Sequence, residues 1–168
     1  VSPTGEVRPT ADGEAQIAIA FGSNSITLPV VCTGIAAPLD VDYIRDVMPV
    51  ISRMGCNAGT CHGSKEGKNG FKLSLRGYDP VTDTRGWTDD LAARRINRAV
   101  PESSLMLLKA TGAVPHGGGQ LTKPGSPYYE IVRAWIADGS NLDLNPPRVQ
   151  KIELLPAGPV VQREGMKQ

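Results

Sequence analysis

Two thiols separated by four residues, with an imidazole directly behind the second, stand in the segment Cys56-Asn57-Ala58-Gly59-Thr60-Cys61-His62. Few chemistries want that arrangement. It is a lengthened form of C-x-x-C-H, the signal in which each thiol adds to a vinyl group of haem and the adjacent His coordinates the iron. The porphyrin fixes the distance between its vinyl groups, so a longer spacer has to bulge rather than stretch. Asn57, Ala58, Gly59 and Thr60 are small and turn-compatible, which makes such a bulge sterically easy. The segment therefore predicts one haem c, held by thioethers at Cys56 and Cys61 with His62 as proximal iron ligand. Two other readings use the same residues. Cys56 and Cys61 could form a local disulfide or stand as idle thiols. Alternatively Cys32, Cys56, Cys61 and one histidine could supply a tetrahedral structural zinc site, although no second closely spaced ligand pair accompanies them.

The rest of the chain limits what can surround that segment. A length of 168 residues allows one ordinary core with a small appendage. Lys and Arg number 18 against 17 Asp and Glu, so the net charge of +1 gives no electrostatic case for nucleic acid or an anionic membrane. Aromatics are only 5%, and 19 Gly with 14 Pro break the chain often; an aliphatic core alone would be modest, and a large apolar cofactor would help fill it. No run approaches the roughly 18 apolar residues a membrane helix needs. The start lacks the basic end and apolar centre of a signal peptide, so a mature fragment of something longer is expected. Three cysteines, two of them in one short segment, point to a cofactor or metal rather than a disulfide scaffold.

Along the chain, residues 1–13 read as a polar linker. Residues 14–37 read as a β-hairpin: AQIAIAF, a GSNS turn, then ITLPVVC with Ile26, Leu28, Val30 and Cys32 on one face. The helical middle, residues 38–143, opens with Asp40 as N-cap and Ile44, Val47, Met48 and Ile51 at helical spacing, interrupted by Pro49. FKLSLRG reads as a short strand, and Thr88 with two aspartates as the cap of a helix over DDLAARRINRA. Pro101 and ESSLMLLK open another helix. Ser126-Pro127 starts the clearest one, with Tyr128, Ile131, Val132, Trp135 and Ile136 in one stripe ending at Gly139. Residues 144–168 read as a linker and further strands. The fold class expected is mainly α, a helical core with short β segments, flanked by strands at both ends.

The chain has only two histidines. His116, in the loop VPHGGG, is either an exposed imidazole or the ligand that fills the sixth iron position opposite His62; Met106 is the alternative sixth ligand, or simple core. Met48 and Met54 read as core. Phe71, Leu73, Leu75, Met106 and Trp135 are the expected apolar pocket, and Arg76, Arg94, Arg95 and Arg98 the candidates to pair with haem propionates or to form a solvated face. Iron with two protein ligands is suited to single-electron transfer; a displaceable His116 would instead allow small-ligand sensing or catalysis. GSKEGKNG lacks the spacing and the hydroxyl residue of a phosphate loop.

The run DYIRDVMPVISRMGCNAGTCHGSKEGKNGFKLSLRGYDP, with ESSLMLLKATGAVPHGGG and PYYEIVRAWIADG, resembles the planctomycete-type cytochrome c domains that accompany bacterial immunoglobulin-like repeats. In that family C-x4-C-H is an attachment motif, and Cys56, Cys61 and His62 match it. Many such domains carry Met-Pro-Pro where this chain has Val114-Pro115-His116. The resemblance thus implies that His116 replaces the axial Met in a bis-His, six-coordinate haem of lower potential than a His/Met one. It also implies a periplasmic, extracytoplasmic or cell-surface location, and ends belonging to immunoglobulin-like repeats, with Cys32 as a strand residue. The redox donor and acceptor have no readable motif. Unpaired strand edges leave monomer and homodimer both open.

Overall fold

The computed structural model describes residues 5–37 and 40–153. The chain divides into two compact units, Val1–Leu39 and Asp40–Gln168. The first contains one antiparallel pair, β1 (Gly13–Phe21) and β2 (Asn24–Cys32), in a register running from Gly13 opposite Cys32 to Phe21 opposite Asn24. Gly22 takes a φ of 60°, the left-handed conformation that a two-residue hairpin turn requires. The Asp12 carboxylate accepts the Ile35 N–H at 2.7 Å, tying the open end of the hairpin. Ile19 and Ile26 pair across the strands yet stay exposed, as do Leu28 and Phe21.

The second unit begins with a π-helical turn, Tyr43–Val47, that runs into α1 (Met48–Arg53). The cap is Asp42, not Asp40: its carboxylate accepts from Ile44 N at 2.7 Å and Arg45 N at 3.1 Å. The same carboxylate accepts Asp143 N at 2.6 Å, joining the start of the unit to its far end. Pro49, near the start of α1, has no N–H to give, which suits the wider-wound turn before it. Next come α2 (Pro80–Thr88), the short turn α3 (Asp90–Ala93), α4 (Leu105–Thr111) and α5 (Pro127–Ala137).

Several expected elements are corrected. The helix expected over DDLAARRINRA does not form. Leu91, Ala92 and Ala93 have positive φ, and of that stretch only Arg95 and Ile96 are buried, so no apolar stripe holds a helix there. The helix lies upstream, where Asp79 accepts the Thr82 N–H and Pro80 takes the first helical position. FKLSLRG is not a strand; it ends in a 3-10 turn, Leu75–Gly77, whose Arg76 has a φ of 56°. Nor is the chain mainly α. Of the described residues 33% are helical, counting the π-helical and 3-10 turns with five short α-helical segments, and 14% are strand. Glycine and proline keep the helices short, the longest being the 11 residues of α5. Residues 149–153 form no strand, and the strands expected beyond them lie outside the described residues. Among the described residues no helix is long and apolar enough to cross a membrane.

The core is built where α1, α4 and α5 meet the π-turn: Tyr43, Val47, Ile51, Leu73, Leu107, Val132, Trp135 and Ile136 are fully buried. Tyr129, rather than the expected Tyr128, joins the buried stripe of α5. Trp135 stacks at a tilt on Tyr43, with centroids 5.4 Å apart, and its indole N–H donates to the Asn141 carbonyl at 2.8 Å. Truncating it would remove the largest buried side chain and leave that carbonyl without its donor. Trp135→Ala is expected to cost about 3–5 kcal/mol, whereas Phe21→Ala on the exposed hairpin stays within about 0.5 kcal/mol. Urea unfolding of the two variants checks both values.

Candidate cofactor site

After α1, Gly55 turns left-handed with a φ of 81° and delivers the cysteine segment. The spacer coils rather than stretches. Cys61 N donates to Ala58 O at 2.9 Å, His62 N to Cys56 O at 3.0 Å and Gly63 N to Ala58 O at 3.0 Å, so the chain returns on itself between the two sulfurs. Asn57 anchors the coil. It is 1% exposed, and its side-chain amide donates to Ser52 Oγ at 2.8 Å. A Cβ at Gly63 would lie 2.1 Å from the Asn57 carbonyl oxygen, so only glycine closes this coil. Cys32, Cys56 and Cys61 are all free, partly buried thiols, and no local disulfide joins the pair.

His62 is held by the segment that follows. Its Nδ1 lies 3.0 Å from the Phe71 carbonyl oxygen, and its own carbonyl accepts the Leu73 N–H at 2.8 Å. A carbonyl only accepts, so Nδ1 carries the proton and Nε2 keeps a free lone pair, the orientation typical of a metal-ligating imidazole. Burial is the main cause that lowers the His62 pKa, partly opposed by the Phe71 carbonyl, and it favours the neutral ring. Phe71 stacks between His62 at 4.8 Å and Trp87 at 4.4 Å. The Arg95 guanidinium lies 4.1 Å from its centroid, itself buried and bonded to Asp90 Oδ2 at 2.8 Å and Gly86 O at 3.0 Å.

These groups open onto a cavity of about 270 Å³. Cys56, His62, Phe71, Met106 and His116, distant in sequence, all line it. His116 repeats the arrangement of His62: its Nδ1 is 3.0 Å from the Gly119 carbonyl oxygen, again leaving Nε2 free. Of the glycines beside it, Gly118 is required sterically. A Cβ at Gly118 would come 2.9 Å from the His116 ring.

Other expected pocket residues lie elsewhere. Leu73 and Trp135 belong to the core and do not line the cavity, and Leu75 is half exposed. Arg94 and Arg95 line the cavity, but Arg76 does not, and Arg98 is engaged with the Gly139 carbonyl at 2.8 Å. Met48 and Met54 both pack against the core, as expected, and Met54 also reaches the cavity wall. Trp87, Lys68, Lys109, Leu121, Tyr128 and Val132 complete much of the lining. Of these, Tyr128 and Val132 were readable as one face of the last helix; the two lysines carry no sequence signal. Four cationic side chains, Lys68, Arg94, Arg95 and Lys109, line the cavity, and among the described residues no Asp or Glu does. Among the described residues no three His, Cys, Asp or Glu side chains are grouped to hold a metal ion, which leaves the zinc arrangement without its ligand set.

No known family model, curated protein or solved structure matches this chain.

Burial, followed by the nearby Cys61, pushes the Cys56 thiol up to about 11. Since the thiolate is the reacting species, the haem-free protein should alkylate at Cys56 about 100-fold more slowly than an ordinary exposed thiol near neutral pH. Timed iodoacetamide labelling with peptide mass mapping measures this; rapid labelling of Cys56 would contradict the buried placement.

Proposed function

We propose that the second unit is a c-type cytochrome domain of the planctomycete kind, with one haem c bonded through Cys56 and Cys61 and carried between His62 and His116 for single-electron transfer. One observation carries the reading. The only two imidazoles of the chain line the same cavity, each with Nδ1 tied to a backbone carbonyl and Nε2 free.

The residues present fit the group at Cys56, His62 and His116, which line the cavity, whereas Cys61 stands outside its lining. A soft thiol and an imidazole, Cys56 and His62, face the cavity together, and Ile51, Met106, Leu107, Leu121 and Val132 give it an apolar wall. The two carboxylates of haem suit the cationic lining, with Arg94 and Lys68 as its exposed members. When bound, haem supplies a reversible ferric–ferrous couple. Phe71, Trp87 and the aliphatic wall exclude water from the interior and lower its dielectric. His62 and His116 would hold the iron, and two imidazoles would suit electron transfer over ligand chemistry and favour the ferric state more than an imidazole with a thioether would. The resemblance adds an extracytoplasmic setting for the attachment.

A second reading is favoured by one feature of His116. Its ring bonds only within its own glycine-rich loop and is partly exposed, so displacement by a small ligand is sterically simple.

Produced with a c-type maturation system, the chain is expected to be red and heavier by one haem that resists acid–acetone extraction. The Cys56→Ser, Cys61→Ser double variant should lose that resistance. His116→Met should raise the midpoint potential, and His116→Ala should admit carbon monoxide to the reduced protein while the parent spectrum stays unchanged. Carbon monoxide binding by the parent would favour the sensing role instead; colourless material with alkylatable thiols would sink both.

A further inference from the structure

Asp83, on α2, is a wholly buried acid that the cofactor site does not use. Its oxygens accept the Ser74 N–H and, at 2.7 Å, the Ser74 hydroxyl. Among the described residues no Lys, Arg or His lies within ion-pair distance of it. Its place is close to the site. Ser74 directly follows Leu73, whose N–H holds the His62 carbonyl. One helical turn beyond Asp83, Trp87 lines the cavity. Beside them, Tyr43 Oη and Trp87 Nε1 are both buried, and burial together with the charge of Asp83 holds the Tyr43 hydroxyl in its protonated form.

We infer that Asp83 takes up a proton when the domain takes up an electron, which rests on the haem reading above. A buried carboxylate with no cation is costly and relieves that cost by protonation. Burial already raises the Asp83 pKa against the opposing hydrogen bonds from Ser74. An electron arriving in the adjacent low-dielectric cavity adds a like charge, which raises it further. In the balanced step, a one-electron donor reduces ferric iron to ferrous, and one solvent proton converts the Asp83 carboxylate to a carboxylic acid. The total charge of the interior is unchanged. Lys68, Arg94 and Lys109 line the cavity, but among the described residues none of them pairs with Asp83, so no cation compensates the charge at Asp83 itself. Asp79, bonded through its N–H to Ser74, adds negative charge. The Arg95–Asp90 and Arg45–Asp46 pairs are each self-neutralised, and burial keeps Tyr43 un-ionised.

Spectroelectrochemical titration of the haem-loaded domain from about pH 4 to 8 tests this. The midpoint should fall with rising pH in the window above the ordinary Asp value of about 3.9. Its limit is one proton per electron, a tenfold change in the redox equilibrium per pH unit, about 59 mV. Asp83→Asn should flatten the slope and Asp83→Glu should keep one. Reduced-minus-oxidised infrared spectra of the parent should show a protonated-carboxyl C=O band on reduction, absent from Asp83→Asn. The haem-free chain offers an independent arm. A raised folded pKa gives stability that is full below the unfolded value and lost as pH rises through the folded one, so the parent should gain on Asp83→Asn as pH falls. A flat parent potential, or a slope undiminished in Asp83→Asn and therefore carried by propionates, overturns the inference. A chain that binds no haem shows no Soret absorption and sinks the cytochrome reading with it, whereas a haem-loaded chain with a flat potential sinks this inference alone.

Discussion

The double hold that residues 71–73 exert on His62 is the constraint on which the rest of the second unit depends. The ring is tied to the Phe71 carbonyl and the backbone to the Leu73 N–H, so both the position and the tautomer of the imidazole are set by one short segment. That segment is secured by buried charge. Arg95 covers the Phe71 ring and bonds the Gly86 carbonyl and the Asp90 carboxylate, and Asp83, also on α2, grips Ser74 just beyond the segment. The loop of residues 64–70 leads from the coil between the cysteines back to this segment, which then holds His62 at its ring and its carbonyl.

The spacer shows why the length of four residues is workable. A stretched tetrapeptide would carry the sulfurs apart, but the bonds from Cys61, His62 and Gly63 back to Cys56 and Ala58 fold the added residues into a coil. Asn57 pays for its own burial by bonding Ser52 in the preceding helix, so the bulge is anchored rather than loose. Glycine at 63 is then a steric necessity of that coil, not a sign of a flexible loop.

What was legible in the sequence follows from which signals are local. The hairpin shows in residue alternation and a turn glycine, and α5 shows in its Ser-Pro start and apolar stripe, because each is stated within a dozen residues. The meeting of His62 with His116 was readable only as a chemical demand for a second ligand; the loop that brings them together is set by α4 and its capping Gly112. The helix wrongly expected after Thr88 rested on charged and small residues with good propensity but no buried face. The true one was announced by Asp79-Pro80, a capping pair in a stretch too polar to draw attention. Leu75 and Trp135 were assigned to the pocket on hydrophobicity alone. Apolar side chains say that they bury or cover something, not which of two neighbouring interiors they face.

Charge is distributed unevenly around the cavity, and this follows from the fold rather than from composition. The chain as a whole is nearly neutral, yet among the described residues the cavity wall holds four cations and no acid, while Asp90 meets Arg95 of that wall and Asp83, outside the lining, is turned toward Ser74. A ligand with peripheral carboxylates and an apolar body meets favourable charge at its edge and hydrocarbon over its faces. The same layout leaves Asp83 facing the interior without a cation, because Arg95, the buried guanidinium on that side, is already committed to Asp90 and Gly86. With aromatics scarce and helices short, the unit has little core beyond that around Trp135. An occupant of the cavity would stabilise the folded chain in proportion to how well it binds that state over the unfolded one, which couples the second interior to the first through Val132, Leu107 and Ile51, residues that belong to both.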